Sequence, residues 1–298
     1  MIGAWLLRFG LRVADLVARS LPLALAYGLA DLLGRAWHRL APERRALVSA
    51  NLARVCAATG RPTRGRSFQR LVRRAFEDHA RYYLEVFRLP HQPIERIGRM
   101  VSVDEWETWQ PVLRSGAVVA TLHLGNFEPY GAFLAQHDFV AVVPIEELRP
   151  AALHEFMVAR RGTGRGVELV PLSKARRPMV EALRRGGVVG IAADRDLGGD
   201  GQAVTFFGEA ATVPAGPAAL SVMTGRPLLV AACWREGPER FRARAWPVEA
   251  ALSGDRRADT AALSQAMVDR FEEAIAVAPE QWWAAFQPIW TDRGRSAE

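Results

Sequence analysis

The sequence predicts an α/β fold: a central mixed, mostly parallel sheet flanked by helices, with an N-terminal amphipathic helical region. Three observations carry that expectation. The first hundred residues show apolar spacing of helical period, the later chain alternates short apolar runs with helical segments, and polar clusters stand where two of those runs end. At 298 residues, with 50% hydrophobic and 24% charged, the chain is long enough to bury a full core.

Taken in order, residues 1 to 100 read as helices over 2–19, 23–38, 43–57 and 66–88. In the first of these, Arg8, Arg12, Asp15 and Arg19 run along one side, while Ile2, Trp5, Phe9, Val13, Leu16 and Val17 cover much of the other. The longest charge-free stretch nearby, Ser20 to Ala30, is 11 residues long and contains Pro22. A membrane span needs ~20 apolar residues, so the helices are expected to lie on a membrane rather than cross it. The charges at 8, 12, 15 and 19 likewise interrupt any secretory apolar region. Leu89-Pro90-His91-Gln92-Pro93 closes this part.

The rhythm then changes. A helix over 104–114 precedes a strand over 117–122, and Glu128-Pro129 open another helix. A strand over 139–144 leads to a helix over 150–161. A strand over 167–171 leads to a helix over 176–185, stopped by Gly186-Gly187. Strands follow at 188–193 and 227–234, Phe241 to Val248 is expected to extend the sheet as an edge hairpin, and 258–277 is a last amphipathic helix. Gly162-Thr163-Gly164-Arg165-Gly166 begins like a dinucleotide fingerprint, but it precedes a strand instead of following one and reads as a loop. The expected division is a helical, membrane-associating region over 1–100 and an α/β core over 101–298, together one compact unit.

The net charge of +7 is unevenly placed. Residues 1–100 hold 18 Arg and no Lys against seven acids, a balance of +11, so the remainder sums to −4. No zinc-finger spacing or RNA-binding aromatic motif accompanies the arginines, which argues against nucleic acid. Basic residues interleaved with apolar helical faces suit an anionic membrane surface. Cys56 and Cys233 match no metal-ligand spacing and read as buried thiols in a reducing compartment.

Two polar clusters end buried strands. His123-Leu124-Gly125-Asn126-Phe127-Glu128 follows the first, and Asp194-Arg195-Asp196 follows the strand at 188–193. Carboxyl ends of strands are where open α/β sheets hold ligands. An imidazole titrates near neutrality, so His123 is suited to take a hydroxyl proton and hand it to a leaving thiol. Glu128, if its turn folds back, would fix the imidazole tautomer. The helix start after Asn126 offers N–H groups to an oxyanion or a phosphate. Arg149 and the pair Arg160-Arg161 bracket the helix over 150–161 and would suit a phosphate or pyrophosphate. With no Gly-x-Ser-x-Gly elbow, direct attack of an alcohol on a thioester suits these residues better than a covalent hydrolase mechanism.

These motifs carry a resemblance. His123-Leu-Gly-Asn-Phe-Glu128 resembles the His-x4-Asp/Glu signature of bacterial lipid acyltransferases, and the larger pattern resembles the late lipid A acyltransferase family. Leu148-Arg149-Pro150, Ala193 to Gly198 with Phe206-Phe207-Gly208-Glu209, and Val213 to Leu220 before Thr224-Gly225 extend it over roughly 20–290. The Ala-Asp-Arg-Asp-Leu and Pro-Ala-Gly-Pro-Ala wording is most similar to the branch acting on phosphatidylinositol mannosides. That branch commonly has Asp where this chain has Glu128, whereas the lipid A branch often has Glu, so motif and downstream wording point to different acceptors.

The resemblance implies transfer of a fatty acyl chain from acyl-CoA, or from acyl carrier protein, to a sugar hydroxyl of a glycolipid. It places the protein peripherally at the cytoplasmic face of the inner membrane. It implies His123 as general base, with Glu128 or Asp194 as its carboxylate partner, and Asn126, Arg149, Arg161, Arg195 and Asp196 toward substrate. No metal or cofactor is expected beyond acyl-CoA as substrate. Within the same class, a lipid A-type late acyltransferase and a lysophospholipid acyltransferase stay open. From other classes, a nucleotide-sugar glycosyltransferase using a metal at Asp194 and Asp196, and a non-catalytic membrane adaptor, also stay open. A calcium loop through Asp194, Asp196 and Asp200 is disfavoured because its twelfth position is Thr205. His38, His79, His91, His137 and His154 form no sequence-local cluster and receive no role. Trp282 and Trp283 read as core or interfacial aromatics.

Overall fold

Four helices open the chain in the computed structural model, which describes residues 2–161, 166–196 and 198–290. The Gly162–Gly166 loop therefore lies, except for Gly166, outside the described residues, as does Leu197. The opening helices are α1 (Ile2–Ser20), α2 (Leu23–Leu40), α3 (Pro42–Ala58) and α4 (Gly65–Arg88). A short α5 (Ile94–Gly98) leads to β1 (Val101–Val103), α6 (Trp106–Arg114), β2 (Ala117–Thr121), α7 (Glu128–Gln136), β3 (Ala141–Ile145), α8 (Ala151–Arg161) and β4 (Val167–Pro171). Then come α9 (Arg176–Arg184), β5 (Val188–Ala192), a hairpin of β6 (Gln202–Phe206) and β7 (Glu209–Val213), α10 (Gly216–Thr224), β8 (Leu228–Gly237), β9 (Arg240–Pro247) and α11 (Arg256–Val277).

The main sheet has seven strands in the order β1-β9-β8-β2-β5-β3-β4, parallel except for the β8/β9 pair. Phe241 to Val248 was expected at the sheet edge, but β9 lies inside it. The three-residue β1 pairs along its outer side, and so short a strand leaves no alternation to read. The β6/β7 hairpin and α10 are likewise additions to the expected elements.

Both faces of the sheet are covered, as the near-continuous apolar runs require. Val118, Ala120, Val189, Ile191, Val230 and Ala232 face one core with Val48, Leu52 and Phe76 from the opening helices and Met267 and Phe271 from α11. Ala117, Val119, Val188, Leu229 and Ala231 face a second with Leu113 and Leu134. The alternation of period two along β2 decides which side chain enters which core. The opening helices and the sheet thus share one apolar interior.

Helices α1 and α2 bury only one side. Ala26, Tyr27, Ala30 and Gly34 face α4 across the α2 interface, and Gly34 is needed there because a Cβ would stand 2.7 Å from the Glu77 backbone. Outward, Trp5, Leu6, Phe9, Leu16, Leu25, Leu32 and Leu33 are all more than half exposed. Trp5 and Phe9, which a core-packing reading would bury, stack on each other in the open at 5.6 Å. Among the described residues no helix is long and apolar enough to cross a membrane.

Candidate active site

Parallel register builds the site. Thr121 of β2 pairs with Ala192 of β5, and Ala193 donates its N–H to the Thr121 carbonyl at 2.9 Å, so positions 123 and 194 leave the sheet side by side. His123 Nδ1 lies 2.6 Å from Asp194 Oδ1. The other oxygen, Oδ2, accepts the His123 main-chain N–H and the Trp282 indole N–H, each at 2.9 Å. Asp194 is wholly buried. Burial alone would raise its carboxyl, but the adjacent imidazole and the donors around it hold it below the usual carboxylate range.

Because a buried carboxylate only accepts, Nδ1 carries a proton in this contact, and in the neutral ring the lone pair is then on Nε2. Nε2 makes no protein hydrogen bond among the described residues. Trp283 meets the imidazole edge-on with centroids 4.3 Å apart, and Phe127 stands 6.0 Å away. The Trp283 main-chain N–H also donates to the His123 carbonyl at 2.9 Å. Leu124 bridges to Trp282, and the Gly125 N–H donates to the Gln281 carbonyl. Gly125 has φ +58, and a Cβ there would meet the Cys233 carbonyl at 2.2 Å, so the turn passes too close to β8 for any other residue.

Glu128 does not fold back onto the imidazole. Its Oε1 accepts Arg161 Nε at 2.6 Å, and Arg161 Nη2 donates to the Tyr82 hydroxyl at 2.6 Å. Burial opposes the Arg161 charge, but Glu128 and Tyr82 raise its pKa above the ordinary value. Tyr82 stacks on Trp283 at 4.8 Å, which joins this charged trio to the wall of the imidazole. A small cavity of about 30 Å³ lies beneath it, between Glu128, Pro129, Ala132, Arg161 and the end of α4.

The remaining residues singled out from the sequence fall in different places. The fully buried Asn126 accepts the Glu128 N–H at 3.0 Å and donates to Glu85 at 2.8 Å. That bond takes one N–H of the α7 start, Pro129 has none, and Tyr130's goes to the Phe127 carbonyl, so those three groups are not free for an oxyanion. Arg149 is exposed. Arg195 donates to Glu146 at 3.2 Å, and Asp196 accepts the N–H groups of Gly198, Gly199 and Gly201, which ties the loop into β6. Asp194 and Asp196 are thus each engaged elsewhere, and among the described residues no group of three acidic, His or Cys side chains is placed to hold a metal. Arg160 turns away to Asp15 of α1 at 2.5 Å.

Sequence reasoning passed over Tyr82 and Glu85, and it read Trp282 and Trp283 as core or interfacial aromatics, which fits the buried Trp282, without assigning them a place in the site. The two tryptophans had a signal, as adjacent large aromatics behind a terminal amphipathic helix, but nothing local shows that one indole N–H would end on Asp194.

Comparison with known proteins bears on the chemistry. The family model for bacterial lipid A biosynthesis acyltransferase matches residues 1–291. A protein of Mycolicibacterium smegmatis named phosphatidylinositol mannoside acyltransferase is 34% identical over 281 residues, covering 92% of this chain and 88% of its own. One of the same name from Mycobacterium tuberculosis is 36% identical over 224 residues, covering 72% and 69% respectively.

Proposed function

From the premise that this chain belongs to the bacterial lipid A biosynthesis acyltransferase family and is an acyltransferase, we propose that it moves a fatty acyl chain from acyl-CoA to a sugar hydroxyl of a phosphatidylinositol mannoside. The acceptor class is that named for the two mycobacterial relatives. The observation that carries the mechanism is the Asp194–His123 contact with Nε2 left open.

In this reaction Nε2 of His123 takes the proton of the sugar hydroxyl as the oxygen attacks the thioester carbonyl. Asp194 stabilises the imidazolium that forms. The tetrahedral adduct collapses with cleavage of the C–S bond, and the imidazolium proton passes to the leaving thiolate. An ester and a free thiol result, and no covalent acyl-enzyme is needed. The partly buried Glu128–Arg161–Tyr82 group holds α7, α8 and α4 around the nucleophile's approach. Trp283 and Phe127 supply apolar walls against water.

Membrane attachment belongs to the same proposal. The exposed apolar faces of α1 and α2 would enter the boundary between headgroups and acyl chains. Flanking arginines such as Arg8, Arg12 and Arg39 would meet anionic lipid at the cytoplasmic side. The decisive experiment is mass spectrometry of lipids from cells with and without the gene, followed by transfer from labelled acyl-CoA to the purified glycolipid. One missing acyl group on a mannoside supports the assignment. Unchanged mannosides together with an altered lipid A or phospholipid would overturn it.

A further inference from the structure

Behind the active-site turn lies a charged cluster that the reaction itself does not use. Arg235 of β8 and Glu85 of α4 are among the most buried charged groups, with 3% and 1% of their side chains exposed. Arg235 Nε and Nη2 donate to Glu85 Oε1 and Oε2 at 2.5 and 2.7 Å, and Nη1 donates to Asp78 at 2.9 Å. Glu85 Oε1 also accepts the Tyr27 hydroxyl at 2.7 Å, and Oε2 accepts Asn126 Nδ2 at 2.8 Å. Glu85 is fully occupied by four donors.

Such a pair is a poor stabilising device, because removing two charges from water costs about as much as their attraction returns. Its geometry has another use. A buried carboxylate can only accept, so it dictates that the Asn126 amide presents NH₂ to Glu85 and its carbonyl to the Glu128 N–H. The opposite flip would set two acceptors against each other and release the start of α7.

A second arm reaches the same turn. The Gln281 side chain accepts the Arg235 N–H at 2.7 Å and donates to the Arg235 carbonyl at 2.9 Å, while its own carbonyl holds the Gly125 N–H. Arg235 thus grips the turn from both sides: its guanidinium acts through Glu85 and Asn126, and its main chain through Gln281.

We propose that Glu85, oriented by Arg235, is a positioning residue that acts through Asn126 to set the turn between His123 and Glu128. This rests on the acyl-transfer reading of the site. The test uses the double variant Glu85→Met/Arg235→Met in the full-length protein, which removes both charges and keeps side-chain volume. The expected result is a folded protein with a lowered melting temperature, since Asp78 loses Arg235 and Tyr27 and Asn126 lose their acceptor. Its kcat should be lower by about 10- to 100-fold, with KM for the acyl donor within about two-fold, the scale of a displaced reacting group.

Adding Asn126→Ala to that background should cost little more, because the two act in series. Should the double variant not fold, Glu85→Gln with and without Asn126→Ala makes the same comparison. Asp78→Asn, which touches the same guanidinium but not Asn126, should leave kcat within about two-fold. Unchanged kcat in the charge-free variant, or losses that multiply with Asn126→Ala, would overturn the proposal. The Asn126 side-chain amide gives a readout free of any substrate. Its solvent exchange should be slow in wild type and fast without Glu85, and equal rates would reject the contact. An inactive wild type with that exchange difference intact would sink the reaction and leave the anchor standing.

Discussion

One carboxylate holds His123 at two points: Asp194 takes the imidazole Nδ1 at 2.6 Å with one oxygen and the main-chain N–H of the same residue at 2.9 Å with the other. Ring orientation and backbone position are therefore fixed by a single side chain, itself anchored by the Trp282 indole. An imidazole held this way would lose little freedom on taking a proton.

Asp194→Asn should be the most damaging isosteric change at the site. An amide NH₂ in place of either oxygen faces an N–H donor, and the carbonyl alone cannot serve all three groups. The imidazolium also loses its counter-charge. Acyl transfer is expected to fall by about 10³-fold or more, against about 10² to 10⁴-fold for His123→Ala. Steady-state assays on the purified variants check this, and a loss under tenfold for either would contradict the assigned roles.

Removing Glu128 strands a partly buried cation. In Glu128→Ala, Arg161 keeps the Tyr82 hydroxyl among the described residues, and stability should drop by about 2 kcal/mol, less than for a fully buried pair. Replacing both with apolar residues should recover most of that loss without restoring activity. Denaturant titration of the two variants measures the difference.

Acid stability should report His79. Burial, with Arg44 and His123 as further contributors, pushes its pKa down to about 3, and both ring nitrogens are without partners inside a cage of Trp37, Tyr83, Trp283 and Phe286. The unfolded chain binds a proton there below about pH 6.5, while the folded protein does not. The neutral form's stability is therefore complete above pH 6.5 and is lost as pH falls, by up to about 1.4 kcal/mol per unit toward pH 3. His79→Phe should flatten unfolding curves measured between pH 4 and 7, and an unaltered slope would refute the assignment.

Membrane binding should follow the exposed faces of α1 and α2. Trp5→Ala and Leu32→Ala, at 63% and 59% exposure, should each weaken sedimentation with anionic vesicles by roughly tenfold, the effect of about 1.5 kcal/mol of lost apolar burial. Melting temperatures should hardly move, since neither side chain packs in the interior. Wild-type vesicle affinity in both variants would argue for another docking face.

Much of the fold was legible from the chain. The amphipathic helices announced themselves through their period, and the buried strands through short apolar runs, two of which stop at the polar residues His123 and Asp194. Long-range register was not. Nothing near position 123 or 194 says that β2 and β5 are neighbours, nor that Arg161 claims Glu128 before His123 can. The β6/β7 hairpin turns at Phe207 and Gly208, both with positive φ, and only the glycine hinted at it. Glu85 and Arg235 were invisible for a similar reason, since a lone acid on a helix and a lone arginine at a strand end look like surface charge until the fold brings them together.

The side-by-side departure of residues 123 and 194 from paired inner strands separates two inheritances in this molecule. The His123–Asp194 contact is carried by the paired register of β2 and β5. The exposed apolar surfaces proposed to meet lipid are built from helices that precede the sheet in the chain. On the proposed function, changes confined to the exposed faces of α1 and α2 would alter the lipid surface that is met and leave the His123–Asp194 contact in place.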